Sequence, residues 1–232
     1  MTKVFILKLN ESDNTPEFIV QLLRYIPEEG RLRVKDRLNN NSKLQTIAGE
    51  LLARYSAGQY TGNSKQEIDL GVGEKGKPFI RNLQNVHFNI SHSGHYVVCA
   101  VASTEIGIDV ERVRKANLRI AERFFSSSEV HDLMELDESE RIQYFITLWT
   151  IKESYLKAIG RGLTQHLNSF TVCKNSDSYF LIGDEEAEKY CVELHQLTSD
   201  YKMAVCTLQP FSACEICYVS FENISSSLPT YP

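Results

Sequence analysis

The chain has 232 residues, 42% of them hydrophobic and 24% charged, with a formal net charge of −5. This is the composition of a globular protein with a sizeable core, and its acidity speaks against general nucleic-acid binding, so any polyanion must meet a local basic patch. No apolar run reaches membrane-span length, and the opening MTKVFILKLN has too short an apolar stretch for a signal peptide; the expectation is a cytoplasmic protein without a membrane partner.

In chain order, Val4 to Leu9 reads as a strand and PEFIVQLLRYI as a helix. RLRVKDRLNNNSKLQTIAGELLARYSAG reads as two helices parted by NNNS, with Gly58 as a stop signal. The glycine-rich link GVGEKGKPFI follows. VHFNISHSGHYVVCAVA has the pattern of a hairpin turning near Ser93-Gly94, and IGIDVERV that of a further strand. A helical region from Arg119 to Gly160 is broken around its serines and around Asp137. Short strands follow in SFTVC, YFLIG, YCVELHQL, YKMAVCTL and EICYVSF, and SSSLPTYP has the character of a flexible tail. Six scattered cysteines read as reduced core thiols; the CEIC pair, Cys214 and Cys217, has no second pair at zinc-site distance.

GELLAR echoes KESYLK, and YVVCAV echoes YKMAVC, both at offsets of roughly one hundred residues. A common offset suggests two α+β halves of similar topology, with helices before strands, and not a doubly wound α/β sheet. Neither a dinucleotide fingerprint nor a P-loop is present.

Three places carry candidate chemistry. Asp109 and Glu111 alternate with Ile106, Ile108 and Val110, so both carboxylates leave one strand face. They suit a hard cation such as Mg²⁺, or else form an exposed acidic face paired with Arg112 or Arg114. In WTIKESYLK, Trp149, Glu153 and Lys157 drift around one helix side, placing Glu153 within an apolar arc. There it is either a metal ligand or the i,i+4 partner of Lys157. FNISHSG places His92 at a strand end beside Ser91 and Ser93, where hydroxyls, imidazole and turn amides can meet phosphate oxygens. Lys77 in GKP offers a further cation or a rigid turn. Arg31, Arg33, Lys35 and Arg37, followed by Lys43, form the densest basic run, as a phosphate patch or a solvated helix face.

The motifs GKPFI, FNISHSG, IGIDVER, FFSSSEV and LWTIKESYLKAIGRG, in this order, resemble the 4′-phosphopantetheinyl transferases of the surfactin-synthetase-activating type. The resemblance runs from about Pro27 to Cys206 and is densest between Gly76 and Leu163. It implies two similar α+β halves related by pseudo-twofold symmetry with the active site between them. The expected division is 1–105, 106–224 and a flexible tail at 225–232. It also implies a monomer that transfers the phosphopantetheine arm of coenzyme A to a serine of an apo acyl, peptidyl or aryl carrier protein. On the same resemblance, Asp109, Glu111 and Glu153 hold Mg²⁺, with Mn²⁺ as the alternative, and Glu153 is also the general base. Lys157 meets the pyrophosphate, and Asp109 belongs to the coenzyme A contacts. Lys75, Gly76, Lys77 and Pro78 line the adenine site, Ser91 and His92 contact phosphate, and Arg112, Phe124 and Phe125 lie in the carrier-docking region. The N-terminal half departs from the pattern. Glu28, Glu29 and Gln45 stand where related enzymes carry lysines and an arginine. The competing expectations are a catalytically silent binding relative and another metal-dependent phosphotransferase.

Overall fold

The computed structural model describes residues 1–63, 67–73, 75–115, 117–160, 166–175, 178–183, 185–208 and 213–232. In chain order the regular elements begin with β1 (Lys3–Lys8), α1 (Pro16–Leu23), α2 (Glu28–Lys35) and α3 (Asn40–Thr61). Then come β2 (Leu70–Val72), β3 (Pro78–Ile80), β4 (His87–Ser93), β5 (Tyr96–Ala102) and β6 (Ile106–Arg112). They continue with α4 (Ala121–Phe124), α5 (Ser127–Glu135), α6 (Glu138–Ile159), β7 (Thr171–Asn175) and β8 (Ser178–Ile182). The last are β9 (Tyr190–Thr198), β10 (Tyr201–Leu208), β11 (Glu215–Val219) and α7 (Phe221–Ser227). The α+β expectation is met: helices and largely antiparallel sheets segregate along the chain.

The first compact unit comprises Met1–Gly71, Pro78–Ser103 and Ala213–Pro232. Its sheet runs β11-β1-β5-β4, and the 22-residue α3 packs on β4 and β5 over a core that includes Leu44, Ile47, Leu51 and Leu52. Asn39 caps α3 through its side chain, which accepts from Ser42 N–H. Gly58 does not end this helix: it is buried mid-turn, and the stop falls at Gly62, whose φ of +73° is a left-handed cap. Packing of the neighbouring apolar turn outweighs the weak intrinsic penalty of a helical glycine.

The second unit comprises Val72–Lys77 and Thr104–Ser212. Its sheet runs β6-β10-β9-β8-β7, with the 22-residue α6 lying on β6 and β10. The expected helix breaks are real. Ser126 and Glu129 form a reciprocal capping box opening α5, and the Asp137 carbonyl accepts the first amides of α6.

The expected boundaries need three corrections. Residues 72–77, expected in the first half, group with the second unit, where Lys77 Nζ donates to Ala158 O. EICYVSF does not stay with the second half; β11 returns to pair in parallel with β1, Val4 opposite Ile216, because β1 offers an open edge there. Residues 225–232 are also not a loose tail: α7 ends at Ser227, Tyr231 N–H donates to Arg24 O, and Arg31 donates to the carbonyls of Tyr231 and Pro232. Among the described residues, no helix is long and apolar enough to cross a membrane.

Candidate active site

The centre of the second unit is the crossing of α6 over β6. Gly107 makes that crossing possible, because a Cβ there would overlap the Ser154 carbonyl oxygen and the Ala158 amide. Side chains alternate along a strand, so Asp109 and Glu111 follow Gly107 on the face that meets the helix. Asp109 is buried, and its Oδ1 accepts from Lys157 Nζ at 2.6 Å.

Glu153 stands one helical turn before Lys157 and is half-buried. Burial pushes its carboxyl above the usual range; the Asp109 charge raises it further and Lys157 partly offsets this. Two carboxylates that repel each other, with Glu111 next along the strand, are the hard oxygen donors a divalent cation takes. The donors are therefore of the kind Mg²⁺ or a cation like it takes, although the oxygens of Asp109, Glu111 and Glu153 do not all lie within 4.8 Å of one another in this structure. Trp149, Glu153 and Lys157, at i, i+4 and i+8, lie on the half-open edge of α6. The fully packed face carries Leu148, Ile151 and Tyr155. The expectation that Glu153 sits within the apolar arc is thus corrected.

The fully buried charge is its neighbour, Lys152, at 0% exposure. Its ammonium pairs with Glu129 at 2.9 Å and donates to Leu167 O at 2.9 Å and Phe170 O at 2.7 Å. The other Glu129 oxygen accepts Val172 N–H at 2.7 Å. α5, α6 and the start of β7 are thereby locked by one satisfied network. Sequence reasoning missed both residues, although each stood in a motif it quoted; the signal was a Ser-x-x-Glu capping box whose Glu had to enter the core.

Glu111 lines a cleft of about 350 Å³. Ile120, Phe145, Ile146 and Trp149 supply its apolar surface, and Arg112, Arg114 and Lys115 its positive charge. Phe124 packs edge-on against Trp149, with ring centroids 5.7 Å apart. Phe125 is buried against Phe145, so as a docking contact it is corrected to a core residue. Arg112 is exposed, its guanidinium over the Tyr201 ring.

The remaining expected contacts divide between the units. Ser91 is buried and His92 exposed at the end of β4, in the first unit. Gln45 donates to Gly94 O in the adjoining turn, which accounts for an amide at that position. Lys75 and Gly76 are exposed, Pro78 is half-buried and begins β3, and Lys77 is turned inward, donating to Ala158 O at 2.7 Å. Arg31 and Arg33 are engaged structurally, Arg31 with backbone carbonyls and Arg33 with Glu50. Arg161 and Gly162, the end of the motif after Lys157, lie outside the described residues.

Two family profiles account for nearly the whole chain. The one described as 4'-phosphopantetheinyl transferase superfamily matches residues 105–206, and the one described as 4'-phosphopantetheinyl transferase, N-terminal, matches residues 13–104. The chain is 36% identical over 205 residues to 4'-phosphopantetheinyl transferase Sfp of Bacillus subtilis (strain 168), covering 88% of this chain and 92% of that protein. The chain belongs to the 4′-phosphopantetheinyl transferase family. A second member, 4'-phosphopantetheinyl transferase psf-1 of Bacillus pumilus, is 33% identical over 229 residues, 97% of this chain and 98% of its own. Membership thus extends over both units, including β11, which lies beyond either profile match.

Proposed function

We propose that this member transfers the 4′-phosphopantetheine arm of coenzyme A to a serine hydroxyl of an apo carrier protein. The products are holo carrier protein and adenosine 3′,5′-bisphosphate. The observation that carries the assignment of roles is the Asp109–Lys157 pair set beside a Glu153 carboxyl whose proton affinity is raised. A carboxyl shifted upward is a better proton acceptor at neutral pH than an ordinary one. Glu153 takes the serine proton, the serine oxygen forms a bond to the pantetheine-side phosphorus, and the bond from that phosphorus to the bisphosphate oxygen breaks. Lys157 places positive charge where the departing bisphosphate gains negative charge. Asp109, Glu111 and Glu153 would hold Mg²⁺, or Mn²⁺ in its place, and the bound cation would neutralise the pyrophosphate. In the same reading Ser91 and His92 meet phosphate oxygens of coenzyme A, and Lys75, Gly76 and Pro78 border its adenine.

The cleft beside Glu111 suits the carrier protein. Its apolar surface and basic flank match a helix with apolar residues set among acids, and such charge matching raises association rates. Incubation with coenzyme A, Mg²⁺ and several apo carriers should add one phosphopantetheine arm to a carrier, read by intact mass. Failure to modify any of them overturns the proposal. The double variant Arg114→Glu, Lys115→Glu should raise KM for the carrier about tenfold while leaving KM for coenzyme A unchanged.

A further inference from the structure

The loop before β3 closes on itself. Gly73 N–H donates to Lys77 O, Gly76 N–H donates to Gly73 O, and Gly76 holds a φ of +81° that favours glycine. The loop exposes Lys75 and Gly76 and belongs to the second unit. Its only charged side chain turned inward, among the described residues, is Lys77. The Lys77 stem passes over Gly160, at the left-handed cap of α6, where even a Cβ on the glycine would come within 3.2 Å of Lys77 Cδ. Its ammonium then donates to Ala158 O at 2.7 Å, with Ile106 O at 3.5 Å. Ala158 O is one of the final carbonyls of α6, which lack amide partners within the helix and sit at the negative end of its dipole. Glu105 adds favourable charge nearby.

We propose that Lys77 is a positioning residue for the transfer: its side chain pins the exposed Lys75–Gly76 turn to the α6–β6 crossing. This rests on the functional reading above. The crossing itself does not need Lys77, because Gly107 already brings helix and strand into direct backbone contact. Losing the ammonium therefore frees the loop and leaves Asp109, Glu153 and Lys157 in place. A freed loop weakens the hold on coenzyme A while the chemical step survives. A general structural role would instead lower stability and turnover together.

Lys77→Met keeps the stem and deletes the charge. The variant should melt cooperatively and raise KM for coenzyme A about tenfold, with kcat within about threefold of wild type. In the native protein, trypsin should cut after Lys75 about tenfold faster in the variant, since cleavage reports local opening. Lys77 precedes Pro78, so its replacement removes no ordinary tryptic site. An unchanged cleavage rate overturns the proposal, as does a loss confined to kcat or a variant that fails to fold. The cleavage readout needs no substrate, so it separates failure of this inference from failure of the transferase reading, which wild-type inactivity on carriers would reveal.

Discussion

Each compact unit contains a 22-residue helix bearing an acid and a base four residues apart, yet the two pairs differ in kind. In α3, Glu50 and Arg54 form a closed set. Arg54 donates to one Glu50 oxygen at 2.8 Å and to Ile68 O, and Arg33 donates to the other oxygen at 2.7 Å. In α6, Lys157 reaches a second carboxylate, Asp109, and the pKa of Glu153 is raised by burial and then by the Asp109 charge. The strands beneath make the difference. β4 and β5, under α3, contribute no acidic residue, whereas β6, under α6, contributes Asp109 and Glu111. An i,i+4 pair is therefore structural or chemical according to what the facing strand adds.

The largest expected contrast follows from that difference. Glu153→Gln and Asp109→Ala should each lower turnover by about 10³-fold, the size of a lost general base or charge contact, while the circular dichroism spectrum stays native. Glu50→Gln, scaled for folded fraction, should leave turnover within about threefold, and its effect should appear in stability because it breaks a nearly buried pair. Equal activity losses in the two helices would dissolve the distinction.

A second contrast lies within α6, between Lys157 at 29% side-chain exposure and Lys152 at 0%. Lys152→Met leaves Glu129 charged and buried, and should cost about 4 kcal/mol in urea denaturation. Adding Glu129→Gln removes that stranded charge and should recover part of the loss, although Gln has one acceptor oxygen where Glu129 has two, so either Ser126 N–H or Val172 N–H loses its acceptor. A Lys152→Met protein as stable as wild type would show the network to be dispensable.

The site was more legible than the frame around it. Asp109 and Glu111 announced themselves through strict alternation with Ile108 and Val110, and the structure keeps that strand. Glu153 was visible as a charge near apolar residues, but helix periodicity alone misjudged its face by roughly one residue, and Lys152 took the core position. That error is physical in origin: a long stem lets a lysine run through the core and end on carbonyls, so residue type does not reveal its burial. β11 was legible as a strand but not as a partner of β1, since edge pairing depends on contacts far apart in sequence. Lys77 likewise looked like a ligand contact in GKP, and only the end of a helix more than seventy residues away shows where its ammonium goes.

The smallest expected effect decides what the basic run of α2 is for. In sequence, Arg31 and Arg33 were the best local answer to the phosphates of an anionic ligand in an acidic chain. In the fold, Arg33 lies between Glu29 and Glu50, and Arg31 is spent on four carbonyl oxygens. Since Arg54 still serves Glu50 when Arg33 is removed, Arg33→Ala should cost only about 1 kcal/mol, in the range of a partly exposed pair. If the run is structural, KM for coenzyme A in that variant stays at the wild-type value at low and high salt alike. A salt-dependent rise in KM would return Arg33 to the ligand and make its pairing with Glu50 an arrangement of the ligand-free protein.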